Sequence, residues 1–178
     1  SPTFSSDSQH LACIARESNK SFVVLDGKDG KKYDNVGSLI FSPDSQHLAC
    51  IARESNKSFV VLNGKEGEKC DKISYLTFSP DNQHLAYVAR KGNKYFVVLD
   101  RKEGKRYDDV YSIAFSPDSQ HLAYMIGDRK EKKSILVLDN YEQGKYDQIW
   151  KPTFTSDSQH IIYFVQKGDE IWKIVKRV

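Results

Sequence analysis

No apolar run in the sequence comes near the ~18 residues that a membrane-spanning helix needs, so no helix of this chain crosses a bilayer. No basic and then apolar leader opens the chain, so no signal peptide is expected, and residue 1 is Ser and not Met. Localisation therefore stays open. Cysteine is scarce: Cys13, Cys50 and Cys70 are odd in number and widely spaced, which excludes a disulfide framework. No CxxC or Cys-His spacing offers a zinc site. Neither sign of charge prevails, with 27 Lys and Arg against 24 Asp and Glu. The lysines alternate with carboxylates at hairpin tips (Lys65-Glu66-Gly67-Glu68-Lys69) and form no basic face, so nucleic acid is not an expected partner. No G-x-S-x-G, H-E-x-x-H, Walker or dinucleotide motif is present, which argues against an enzyme and against a bound cofactor. No segment holds a 3.6-residue period long enough for a helix.

What the chain does have is a period. Phe4, Phe41, Phe78, Phe115 and Phe154 each stand fourth in blocks of 37, 37, 37, 39 and 28 residues that fill the 178 positions. A fixed repeat of this size marks a stacked or circular architecture. The copies are closely alike: Phe4–Asp34 and Phe41–Asp71 differ at five of 31 positions. Cys13 and Cys50 fall where later copies have Tyr87, Tyr124 and Tyr163, and Cys70 falls where others have Tyr33 and Tyr107, so the thiols read as core packing.

Within the third copy, Tyr75–Phe78 reads as a first strand. Ser79-Pro-Asp-Asn-Gln83 reads as a tight turn, with Pro setting φ and Asp able to accept from nearby backbone N–H groups. His84–Arg90 and Tyr95–Leu99 are a second and a third strand, rich in β-branched and aromatic residues. Arg106–Val110 is expected as a shorter fourth. The second and third strands are apolar on both faces, so each four-stranded antiparallel meander must be sandwiched between neighbours, as in a radial propeller. The expected fold is therefore an all-β, five-bladed β-propeller in a single domain, 1–178, with blades near 1–37, 38–74, 75–111, 112–150 and 151–178. Its last blade is three-stranded, lacking the fourth strand, and no strand exchange closes the ring. Closure is expected instead through side-chain packing between blades 5 and 1. Lys173 and Lys176 in the last strand read as protection of an exposed edge.

The strings FSPDSQHLAC, FSPDNQHLAY and FSPDSQHLAY resemble the F-S-P-D-x-x-x-(I/L)-A-(F/Y) signature of TolB-like propeller repeats, relatives of the WD-type propellers. The resemblance covers the whole chain in five copies. It implies that the Pro-Asp turns at Pro43-Asp44, Pro80-Asp81 and Pro117-Asp118 join the inner two strands of a blade. Blades 1 and 5 depart from it with Ser6-Asp7 and Ser156-Asp157, which keeps the carboxylate and loses the stiffening. The resemblance names a blade type and no activity.

Several recurring residues could carry chemistry. His10, His47, His84, His121 and His160 share one repeat position, and a ring of imidazoles could bind a metal or respond to pH. The competing expectation is that each bonds within its own hairpin, since residues spread around a ring need not converge on one ion. Asp7, Asp44, Asp81, Asp118 and Asp157 recur in the turn that already uses them. Exposed Trp and Arg suit a binding rim. Trp150, at the junction before blade 5, and Arg129, in the lengthened turn of blade 4, are the candidates. Trp172 aligns with Phe96 and is expected in the core. Catalytic, cofactor and metal residues are expected to be none. The leading functional expectation is a non-catalytic scaffold or interaction module for a protein, peptide or glycan. The alternatives are a recently amplified or engineered repeat with no evolved ligand, and a carbohydrate- or peptide-binding propeller with one site per blade. A monomer is expected, with association through the blade 5 edge as the other possibility.

Overall fold

A computed structural model describes residues 2–178. The described residues are all β, in five antiparallel sheets, one per repeat. Blade 3 shows the pattern: its strands run Lys72–Phe78, Leu85–Lys91, Lys94–Leu99 and Lys102–Glu103, each paired to the one before. The tight turn holds because Asp81 Oδ1 accepts from the Gln83 N–H at 3.1 Å and the Ser79 hydroxyl accepts from the His84 N–H at 2.9 Å. Its corner residue is left-handed in every copy, with φ of 60°, 66°, 67°, 64° and 58° at Ser8, Ser45, Asn82, Ser119 and Ser158. Short polar side chains and Asn tolerate that region best.

Two strand boundaries differ from those the sequence suggests. The first strand of blade 3 starts at Lys72, because a bulge with Tyr75 at φ 55° keeps the chain paired past the apolar run. The fourth strand is not Arg106–Val110. Lys102–Glu103 pair with Leu99 and Val98, the Gly104 N–H donates to the Val97 carbonyl at 2.8 Å, and the backbone rejoins the third strand at Tyr107, which bridges to Tyr95. A Cβ on Gly104 would lie 3.1 Å from that carbonyl oxygen, so only glycine allows the dip without displacing a neighbour. Asp109 and Val110 already belong to the first strand of blade 4, Asp109–Phe115.

Blade 5 is three-stranded. Its first strand is broken into Gln148–Ile149 and Thr153–Phe154, both paired with His160–Lys167, and Glu170–Arg177 lies on the other side. No strand exchange joins it to blade 1 among the described residues.

Four apolar clusters lie in the four junctions between consecutive blades. Cys50 and Phe59 anchor the first, Tyr87 and Phe96 the second, Tyr124 and Val137 the third, Leu136 and Tyr163 the fourth. Among the described residues no apolar cluster joins blades 5 and 1, and closure by packing between them, expected from the sequence, is not found. The stack is an open arc. On its blade 5 end Phe164 is 46% exposed and Val175 54%, and on its blade 1 end Phe4 is 65% exposed. Cys50 and Cys70 are buried, whereas Cys13, on the outward face of blade 1, is only half-buried. Burial pushes the Cys50 thiol up to about 11. Trp172 also departs from expectation. It is 54% exposed where its counterpart Phe96 is fully buried.

Candidate functional site

In an antiparallel meander the turn between strands one and two lies beside the turn between strands three and four. Four of the histidines immediately precede a second strand at that rim, and His160 is the first residue of its strand. His10 Nδ1 lies 2.7 Å from Asp26 Oδ2, His84 Nδ1 2.6 Å from Asp100 Oδ2, and His121 Nδ1 2.7 Å from Asp139 Oδ2. The other carboxylate oxygen accepts from the N–H of the residue after the histidine, as from Leu11 at 2.9 Å, and the aspartate N–H donates back to that residue's carbonyl. Blade 2 has Asn63 instead. Its Oδ1 accepts from the Leu48 N–H at 2.9 Å, which leaves its amide nitrogen 2.8 Å from His47 Nδ1. An amide can only donate there, so His47 carries its proton on Nε2, while a carboxylate partner calls for the proton on Nδ1. The hydrogen bond to Asp26 holds the His10 imidazole above its ordinary value; Asp26 itself is held low, first by the Leu11 N–H and then by His10.

The same imidazoles reach across the blade junctions. His10 stacks on Phe41, His47 on Phe78 and His84 on Phe115, with centroids 6.4, 6.5 and 6.3 Å apart. A second bond repeats beside each stack. The backbone N–H groups of Asp7, Asp44, Asp81 and Asp118 donate to side-chain oxygens of Ser45, Asn82, Ser119 and Ser158 in the following blade, at 2.8–3.1 Å. His10, His47 and His84 are thus joints, each tied to its own carboxylate or amide and to the next blade, while His121 keeps only the tie to its own carboxylate. His160 lacks the carboxylate, since blade 5 has Lys176 in the place of Asp100. Among the described residues no group of three or more His, Cys, Asp and Glu is gathered closely enough for a metal ion.

On the opposite rim a second joint repeats. Asp34 pairs with Lys20 at 2.7 Å and accepts the Ser55 N–H of blade 2 at 2.8 Å. Asp71 does the same with Lys57 and Gly92, Asp108 with Lys94 and Arg129, and Asp147 with Lys133 and Gly168. Arg129 is further engaged by a two-point pair with Asp109 at 2.7 and 2.8 Å. Trp150 is 38% exposed, and its backbone N–H donates to the Phe164 carbonyl at 3.0 Å. Trp150 and Arg129 stand at successive junctions, one on each side of blade 4.

Between these joints the blades part into clefts. The cleft between blades 1 and 2 holds about 390 Å³, that between 2 and 3 about 350 Å³, and that between 3 and 4 about 480 Å³. The last two share one plan: apolar walls (Val97, Leu99 and Phe115 between blades 3 and 4), a histidine from each blade, and the amides of Asn and Gln at the mouth. The His partners Asp26, Asn63, Asp100 and Asp139 were missed in the sequence. Their signal was available, since each follows its histidine by 16 positions, or by 18 where the turn of blade 4 is two residues longer.

No protein-family model and no curated protein matches the sequence. Solved structures do match. The β-propeller domain of the trilobed protease of Pyrococcus furiosus, described as having an open velcro topology, superposes with a TM-score of 0.62 at 12% identity over 99% of this chain and 67% of that one. This chain has the β-propeller fold. TolB from Acinetobacter baumannii gives a TM-score of 0.56 at 14% identity over 99% of this chain, and the acylaminoacyl peptidase of Pyrococcus horikoshii 0.56 at 14% over all of it. The five blades span about half the length of the TolB chain (51%) and 39% of the peptidase. At such identities the likeness establishes architecture and leaves function to the site.

Proposed function

We propose that the chain is a non-catalytic propeller module of the TolB-like repeat type. It works by contact, offering its inter-blade clefts to a peptide, glycan or protein surface. The observation that carries this reading is repetition: successive junctions present clefts of similar size with the same His, Phe and amide plan. The groups that acid–base chemistry would need are spent in joints of the fold, as in His84–Asp100 and Lys94–Asp108. A mostly apolar concavity with a few placed polar groups is the usual form of a binding pocket, and several copies on one scaffold favour weak sites made effective by avidity.

Glycan and peptide arrays probed with the purified chain test this, beside turnover assays with ester, glycoside and peptide substrates. The expected result is weak binding of one ligand class, reduced by Phe78→Ala and Phe115→Ala, with no turnover. Turnover would overturn the reading. Silence on the arrays would favour the second one, a recently amplified repeat without an evolved ligand, for which the near identity of blades 1 and 2 speaks.

A further inference from the structure

The two outermost faces of the arc are the two halves of the junction that the chain builds four times within itself. On blade 1, Phe4 stands where Phe41 receives His10, and is 65% exposed. Ser8 stands where Ser45 accepts the Asp7 N–H, and is exposed while Ser45 is buried. On blade 5, no phenylalanine stacks on His160 and no acceptor takes the Asp157 N–H among the described residues. The apolar surfaces match as well. Leu11, Cys13 and Val24 of blade 1 align with Leu48, Cys50 and Val61, the face by which blade 2 receives blade 1; Leu11 is 41% exposed and Cys13 and Val24 are half-buried, while Phe22, the counterpart of Phe59, is already buried within blade 1. Phe164 and Val175 project from blade 5 on the side away from blade 4.

Charge is complementary too. Lys173 shares the outward face with Phe164, with which it is paired across the strands. On blade 1, Asp29 occupies the position at which Glu66 takes Lys31 across the first junction, at 2.7 Å. Lys173 replaces the buried Val97 of blade 3. Its long stem can lie along apolar surface while the ammonium reaches the rim.

We propose that these faces join different copies of the chain, head to tail: the outward face of blade 5 of one molecule packs on the outward face of blade 1 of a second, continuing the internal stack. The contact is heterologous, so an open assembly always keeps one free face of each kind. That gives the proposal a sharp test. Mass is measured by light scattering over a wide concentration range for the unmodified chain, for Phe4→Asp, for Phe164→Lys, and for an equal mixture of the two variants. Both side chains are about half exposed or more, so the folds should survive, which a melting curve checks. The unmodified chain should gain mass with concentration. Each variant alone should stay a single chain, with association weakened by about thirtyfold or more. The mixture should recover association and stop at two chains, because it restores one intact pair of faces. An unmodified chain that stays single at every concentration would overturn the proposal, by assigning the faces to another partner or to closure on each other. So would either variant associating alone as strongly as the unmodified chain, or a mixture that stays monomeric.

Discussion

Phe4 and Phe41 hold the same place in consecutive repeats and have opposite environments. Phe41 lies against the His10 imidazole and is half-buried, while Phe4 is mostly in solvent. Phe96 and Trp172 repeat the contrast at the third strand, the first fully buried and the second half exposed. Ser119 is buried and accepts a bond from blade 3, while Ser8 is exposed. For Phe4 and Ser8 the difference is the absent neighbouring blade, whereas Trp172 shares the blade 4 side with its cross-strand partner Val165 and is exposed even so. Stability in this stack is therefore a property of junctions: four are complete, and the ends carry the same chemistry without a counterpart. That is the energetic form of a repeat architecture, a sum of units and nearest-neighbour interfaces.

The contrast can be broken most strongly in the apolar layer. Phe96→Ala removes a ring from a filled junction and should cost about 3–5 kcal/mol. Trp172→Ala, at the equivalent position on the end blade, should cost about 1 kcal/mol, since much of its surface is already in water. Urea unfolding of both variants measures the ratio, and equal costs would contradict it. The polar joint should show the same pattern at smaller scale. Ser119→Ala deletes the acceptor of the Asp81 N–H and should cost about 1 kcal/mol. Ser8→Ala should fall within about 0.5 kcal/mol of the unmodified chain.

The smallest expected effect concerns pH. The hydrogen bond to Asp26 holds His10 above the ordinary imidazole value of 6.5. A base with a raised folded pKa stabilises fully below its unfolded value and loses that contribution as pH rises through the folded one. Stability should therefore decline slightly from near pH 6.5 upward, and His10→Gln should remove that part of the slope in melting curves. At the acid end the sign reverses. Asp34, Asp71, Asp108 and Asp147 are held below 3.8, first by their lysine partners, and stabilise above that value. Their contribution is lost as pH falls from about 4 downward, so the junctions should loosen together in acid.

Much of this was legible in the sequence. The Ser-Pro-Asp turn announces its own hydrogen bonds, and the two-sided apolar pattern of Leu85–Ala89 announces a sandwiched strand. The missing fourth strand of blade 5 followed from counting. The course of Arg106–Val110 was not legible, because it depends on a backbone dip at Gly104, and neither was the early start of the first strand of blade 3, which depends on a bulge at Tyr75, a residue type that gives no hint of positive φ. Nor was the open ring. A face that packs on a neighbour and a face that waits for one have the same composition, as blades 1 and 2 show. The histidines were noticed for their recurrence, and the constant spacing to their partners was there to be read, but the stacking of three of them on a phenylalanine of the next blade is shown by no local pattern.

The central claim is that four junctions are made and the end faces are bare in the single chain. Amide hydrogen exchange at Asp7, Asp44, Asp81, Asp118 and Asp157 tests it within one molecule, since the first four N–H groups donate across a junction and the fifth has no following blade. In dilute solution the first four should be protected and Asp157 should exchange at a rate near that of an open loop. Equal protection of all five at dilution would mean a closed ring and would contradict the account.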